Sequence, residues 1–332
     1  MPGTSSQFRC GGLLVELQSA RLCAELAPTV EIVTYRKRET SHLFLNDLLQ
    51  QEATPGQALW IVSWGFDVPG LLRQLRGRPV AYHAHSSGYG FDLPPGVPVL
   101  AVSRNTLGYW GDRAPRAPLQ LVPNALDPAF DQPPPAFERG QRRPLDVLVQ
   151  ARKTSGYVLN QLVPALQAQG LKVEVQSGWV EDLAALFRTA TVMLYDSADY
   201  WRGVGLTEGF GLPPLEALAS GCVLFSSFNH ALADGLDPDC IGMQIGCGSL
   251  INDLERISAA VANPDRFQPD PQRLNALLAT HSEENVQKRW QQALAAINRH
   301  WDRMQAGAAP LKSVPSWQLR WGRRWSRLKR LF

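Results

Sequence analysis

Two glutamates, Glu208 and Glu216, stand eight positions apart in the run 207–221, Thr-Glu-Gly-Phe-Gly-Leu-Pro-Pro-Leu-Glu-Ala-Leu-Ala-Ser-Gly. Between them lie Gly209, Gly211 and the pair Pro213-Pro214. Proline suits a first helical position, because the N–H it lacks is one that a helix start leaves unpaired anyway. Glycine suits the position just past a helix end. The spacing therefore predicts a helix from Pro213 to Ser220, with Gly221 beyond it. Glu208 then falls on the preceding loop and Glu216 one turn into the helix. The free N–H groups of a helix start attract anions, and glycines let a phosphate approach the backbone. A loop carboxylate, an anion-binding turn and a helix carboxylate together suit a ligand with phosphate and hydroxyl groups, such as a sugar nucleotide. The plain alternative is a Gly-Pro loop before an amphipathic helix whose glutamates face solvent.

Other residues could serve the same ligand. Arg152-Lys153 follows the apolar run Leu145–Gln150, which reads as a strand. Strand ends of this kind hold ligands in α/β sheets. Fixed cations there stabilise a departing diphosphate more than the ground state, with Arg as a planar fork and Lys as a point charge. An exposed basic pair on a loop is the alternative. Tyr157 could add a hydroxyl or simply pack in the core. His83-Ala84-His85 ends another strand and precedes Ser86-Ser87-Gly88. Two histidines at alternate positions suit a metal, but no third ligand lies near them in sequence, so no metal is expected. Asp237-Pro238-Asp239 lies in a loop and reads as a solvated turn. No G-x-S-x-G, H-E-x-x-H or G-x-x-x-x-G-K-[ST] stretch points to a hydrolase, a zincin or a P-loop enzyme.

These residues need elements to position them. Leu13 to Leu26 has helical periodicity after Gly11-Gly12. Strands are expected at 30–34, 58–63, 79–83, 99–103 and 119–122, with Ser103 capping a helix that contains Thr106 to Trp110. The Pro-rich stretch 131–144 reads as a linker. Alternation then resumes: strand 145–150, helix 157–169, strand 172–176, helix 180–189, strand 192–195, the Glu208 segment, strand 223–226 and helix 251–262. Thr280-His281-Ser282-Glu283 starts a long closing helix. The expected organisation is an α/β domain over 1–130, a linker over 131–144, a second α/β domain over 145–285 and a closing helix over 286–306. Residues 310–332 form a basic, Trp-rich tail. Both domains read as doubly wound and face a central cleft.

The Glu208–Gly221 segment resembles the E-x7-E signature of the family 4 (group 1) glycosyltransferases, which have the GT-B fold of two Rossmann-like domains. Val-Ser-x-x-Thr at 102–106 and Val-Pro-Asn at 122–124 resemble further stretches of that family. The resemblance implies a retaining, metal-independent transfer of a sugar from a nucleotide-sugar donor to a hydroxyl acceptor. It implies that Arg152 and Lys153 contact the donor diphosphate, although here they are adjacent and in the family they stand apart. It implies that Glu216 holds the ribose hydroxyls. Glu208 and His85 meet the transferred sugar, with His83 as the alternative histidine. Gly209, Phe210, Gly211 and Leu212 face the sugar or phosphates, and Gly12 approaches the donor phosphate from the Gly-Gly turn. The family carries a full strand before that turn; here only Met1 to Cys10 precedes it. No cofactor is implied, since the nucleotide-sugar is a substrate, and the acceptor is a glycan or a lipid-linked molecule. A non-catalytic sugar-binding or scaffold protein of the same fold is the second reading, and a sugar-nucleotide epimerase the third.

The 332 residues are 45% hydrophobic, enough for two cores, and the net charge of +3 gives no global argument for nucleic acid. Five cysteines without a C-x-x-C pair read as free thiols of a cytoplasmic protein. Residues 312–332 carry seven Lys or Arg and no acid, with Trp317, Trp321 and Trp325 at helical spacing. That pattern suits a helix lying on an anionic membrane surface, which would make the protein peripheral.

Overall fold

The computed structural model describes residues 1–51, 58–63, 65–131, 142–238, 240–246, 249–311 and 321. Most of the expected linker (132–141) and of the basic tail (312–320 and 322–332) lies outside them, as do Asp239 and Cys247.

Helix α1 (Gly11–Ala24) leads to a short parallel pair, β1 (Val33–Thr34) and β2 (Leu43–Phe44), and to helix α2 (Leu45–Gln51). Then come β3 (Trp60–Ser63), α3 (Val68–Gln74), β4 (Val80–Ala84), β5 (Val99–Ala101), α4 (Arg104–Arg113) and β6 (Leu119–Leu121). Strands β3 to β6 form a parallel sheet in chain order. Ser103 caps α4 as expected, its hydroxyl accepting from the Thr106 N–H. The Gly11-Gly12 pair lies inside the first turn of α1 rather than in a turn before it. Met1 and Pro2 pair beside β1: the Met1 amino group donates to the Val33 carbonyl at 2.7 Å, and the Tyr35 N–H to the Met1 carbonyl at 3.0 Å.

The second sheet holds β7 (Leu145–Gln150), β8 (Val173–Gln176), β9 (Ala190–Tyr195), β10 (Val223–Ser226) and β11 (Met243–Gln244), in the order β11-β10-β9-β7-β8. All pairs are parallel, and the winding reverses beside β7, with β8 on one side and β9 on the other. Its helices are a π-helical turn (Val158–Leu162) running into α5 (Val163–Ala168), α6 (Leu183–Arg188), α7 (Ala198–Val204), α8 (Leu212–Ala219) and α9 (Leu250–Ala262). Helices α10 (Pro271–Thr280) and α11 (Glu283–Gln305) follow. The sequence did not indicate α7 or α10, and α6 starts later than the expected residue 180 because Asp182 caps it.

Strands buried on both faces read as continuous apolar runs, and alternate residues feed two cores. Leu148, Met193 and Leu224 face a core closed by α6 and α8; Val147, Val192 and Phe225 face one closed by α5 and α9. The first sheet likewise sends Tyr82 and Val99 to one core and Ala81 and Leu100 to another. The latter is covered by Leu22 and Cys23 of α1 and by Val286, Trp290, Ala293 and Ile297 of α11, so the closing helix packs on the first unit. No helix among the described residues is long and apolar enough to cross a membrane.

Candidate active site

The Glu208 segment leaves β9, passes through α7 and enters α8. Gly211 takes the left-handed backbone (φ 88°) as N-cap, and Leu212 opens the helix one residue before the expected start. That conformation favours glycine, and a Cβ at Gly211 would lie 2.2 Å from the Leu232 side chain. Gly221, also left-handed at φ 73°, stands past the C-cap as the sequence predicts.

Glu208 is 3% exposed. Its Oε2 accepts from the Tyr195 hydroxyl at 2.7 Å and from the Trp201 indole N–H at 2.8 Å. Its Oε1 lies 3.5 Å from Lys153 Nζ. The Lys153 ammonium also sits 4.4 Å above the Trp201 ring, a cation–π contact. Lys153 follows β7, and its backbone is left-handed at φ 70°, uncommon for a residue with a side chain. The tight turn brings its ammonium onto the loop of the first glutamate. Arg152 is exposed beside it. The Glu208 N–H donates to His230 Nδ1 at 3.2 Å, and His230 has a positive φ of 51°. Burial lowers the His230 pKa, which suits this acceptor role.

Glu216 is buried in α8, and its carboxyl is pushed up to about 8 by burial first and by the Asp127 charge second. An acid in this state can donate as well as accept hydrogen bonds near neutral pH. Phe210 packs edge-on against His281, with ring centroids 5.2 Å apart. On the β7 side, the Tyr157 hydroxyl donates to the buried Asp253 at 2.7 Å, and the Gly246 N–H donates to the same oxygen at 3.1 Å.

The first unit meets this loop directly. A Cβ at Gly209 would fall 1.5 Å from the His85 carbonyl oxygen, so the two loops approach to backbone contact. Asn105 donates to the Thr207 hydroxyl at 2.9 Å, and the Ser87 and Thr207 hydroxyls lie 2.6 Å apart. His85 directly follows β4 and is hydrogen-bonded through Nε2 to Glu16 of α1. His83, 1% exposed, has Nδ1 2.7 Å from the same Glu16 oxygen, an ion-pair contact, and neither of its ring nitrogens makes a full hydrogen bond among the described residues. Gly12 stands one turn before Glu16 in α1. The fold thus supplies the third group beside His83 and His85 that their sequence neighbourhood lacks, and the three could hold a metal ion.

The structure therefore gathers Glu208, Lys153, Gly209, Gly211 and His85 around one loop. Glu216 sits inside the following helix, Arg152 at the neighbouring strand end and Gly12 on α1. Sequence reasoning missed Glu16, Tyr195, Trp201, Thr207 and His230. Glu16 carried a signal, a lone acid inside the apolar run Leu-Leu-Val-Glu-Leu.

No family model matches the chain, and no curated protein matches its sequence. Solved structures match its fold. The lipopolysaccharide outer core galactosyltransferase WaaB in its apo form is 12% identical, with a TM-score of 0.57 over 88% of this chain and 97% of that one. AviGT4, a glycosyltransferase involved in avilamycin A biosynthesis, is 15% identical, with a TM-score of 0.54 over 93% of this chain and 96% of that one. HepE of Anabaena in complex with UDP and glucose is 13% identical, with a TM-score of 0.53 over 71% of this chain and 78% of that one. The chain shares with them the GT-B fold, two α/β units with parallel sheets.

Proposed function

We propose that this protein is a glycosyltransferase of the family 4 type, moving a sugar from a nucleotide-sugar donor to a hydroxyl acceptor with retention of anomeric configuration. One observation carries the reading. A lysine just beyond β7 of the second sheet meets the first glutamate of the E-x7-E loop, and that loop opens the anion-friendly start of α8. Lys153, Arg152 and the N–H groups beyond Gly211 take the donor diphosphate and stabilise the charge that gathers on it as the sugar leaves. Glu216 takes the ribose hydroxyls. Glu208 holds Lys153 in place and borders the sugar, and His85 approaches from the opposite unit. Gly12, Phe210 and Leu212 line the donor's path. The reading calls on no cofactor, and the departing phosphate takes the acceptor's proton.

The fold shared with HepE, which was solved with UDP and glucose, supports a nucleotide diphosphate as the first ligand to try. A ligand that binds only the folded state raises the unfolding temperature by mass action. Thermal-shift measurements with UDP, GDP and ADP should show one nucleotide raising the midpoint in a concentration-dependent way. No shift with any of them at millimolar concentration would count against the reading. Binding without turnover of any matching donor would favour the non-catalytic alternative.

A further inference from the structure

We propose that Glu16, His83 and His85 bind one divalent transition-metal ion of the zinc type, which clamps helix α1 to the end of β4. The proposal stands on the first unit alone and goes beyond the transfer reading, which calls on no metal.

His83 and His85 stand at alternate positions, and alternate residues along a strand share a face. Strand β4 ends at Ala84, so His85 continues that face one residue past the strand. The two rings lie 4.3 Å apart. Glu16 arrives from α1, one turn after Gly12, and is hydrogen-bonded to His85 Nε2. His83 Nδ1 lies 2.7 Å from the same carboxylate oxygen. One ligand atom from each of the three residues can be chosen so that all lie within 4.8 Å of one another. Zinc bonds of about 2 Å place ligand atoms about 3–4 Å apart, so the set closes on an ion by small side-chain movements.

Burial leaves the group short of partners. Glu16 is 5% exposed and His83 1%. A carboxylate withdrawn from water needs compensation nearby, and the ion-pair contacts of Glu16 are with the two histidines themselves. Neither nitrogen of His83 makes a full hydrogen bond among the described residues. A polar ring sealed from water without a bond is destabilising, and a cation between His83 and Glu16 would satisfy both. Trp290 packs edge-on against the His83 ring at 5.1 Å and holds it in place. Two imidazoles and a carboxylate suit zinc and its neighbours in the first transition row, whereas magnesium and calcium take oxygen ligands. Three protein ligands leave a fourth position for water. The ion would join two elements whose ligands stand 69 residues apart, directly behind the His85 carbonyl that lies against Gly209.

The experiment titrates metal-stripped full-length protein with zinc chloride and, separately, with magnesium chloride, and counts the bound metal after gel filtration. One zinc per chain should bind and raise the unfolding temperature, and magnesium should do neither. Glu16→Gln and His83→Gln, checked for folding by circular dichroism without metal, should each weaken zinc binding more than about a hundredfold, since even an outer partner of a ligand costs about tenfold to a hundredfold. The free thiols of Cys10, Cys23, Cys222 and Cys240 are the competing zinc ligands. X-ray absorption at the zinc edge of wild type separates the two sets without any substitution. It should show nitrogen and oxygen neighbours at about 2.0–2.2 Å and no sulfur at about 2.3 Å. Less than one zinc per chain at micromolar zinc, sulfur neighbours, equal binding of magnesium, or unchanged zinc affinity in both variants would overturn the proposal.

Discussion

Glu208 spends its carboxylate on protein groups. Tyr195, Trp201 and Lys153 take up both oxygens, which makes it the anchor of the lysine, and under the proposed function it also borders the sugar. Glu208→Gln keeps the shape and removes the charge opposite Lys153. It should lower kcat about tenfold to a hundredfold, as lost electrostatic preorganisation does, with a smaller change in nucleotide affinity. Steady-state kinetics would check this, and an unchanged kcat would contradict it. Glu216 gives a pH prediction. Its folded pKa of about 8 lies above the ordinary 4.5, so the neutral form is the one favoured by folding. Its contribution to stability is complete below about pH 4.5 and is lost as pH rises through 8. Urea unfolding of wild type against Glu216→Gln should show wild type losing ground across that interval, and parallel profiles would contradict it. Ribose hydroxyls donating to the carboxylate favour its ionised form. Nucleotide binding at pH 7 should therefore release protons, seen by calorimetry in buffers of different ionisation heat.

The E-x7-E loop touches the first unit backbone to backbone. Gly209 lies against the His85 carbonyl, and a Cβ there has nowhere to go without parting the two loops. Gly209→Ala should therefore leave both sheets folded by circular dichroism and lower kcat by about a hundredfold, since displacement of a catalytic group by an ångström costs on that order. Activity within about twofold of wild type would show that the loops separate freely. This element was legible in the sequence because proline and glycine mark helix ends by their own backbone chemistry. Strands β4, β7, β9 and β10 were legible as largely apolar runs. Helix α7 was not, because Ala-Asp-Tyr-Trp-Arg-Gly-Val shows no apolar period over so short a length. The Glu16–His85 pair, 69 residues apart, and the Glu208–Lys153 pair, 55 apart, come together only through tertiary packing. Residue types named Lys153 and His85 as candidates, and the fold supplied their partners.

Across the whole molecule, the last long helix ties the chain together. Helix α11 follows the second unit but buries Val286, Trp290, Ala293 and Ile297 against α1 and the first sheet. The Leu126 N–H donates to the His281 carbonyl at 2.8 Å, and Gln18 reaches Glu283 at 2.8 Å, so the crossing is hydrogen-bonded as well as apolar. Trp290→Ala should cost about 3–5 kcal/mol in urea unfolding, the usual range for a buried aromatic truncated to alanine. A cost under about 1 kcal/mol would mean that α11 docks loosely. That helix also backs the His83 ring through Trp290.

Nucleotide-sugar turnover at the Lys153–Glu208 loop is the proposed activity. The direct measurement is release of nucleoside diphosphate from a panel of UDP-, GDP- and ADP-sugars, comparing wild type with Lys153→Ala at matched concentrations. Wild type should turn over at least one donor, and Lys153→Ala should reduce its rate about a hundredfold or more, the scale of losing a charge that stabilises the leaving group. Equal rates in the two proteins, or no nucleoside diphosphate released from any donor by wild type, would contradict it.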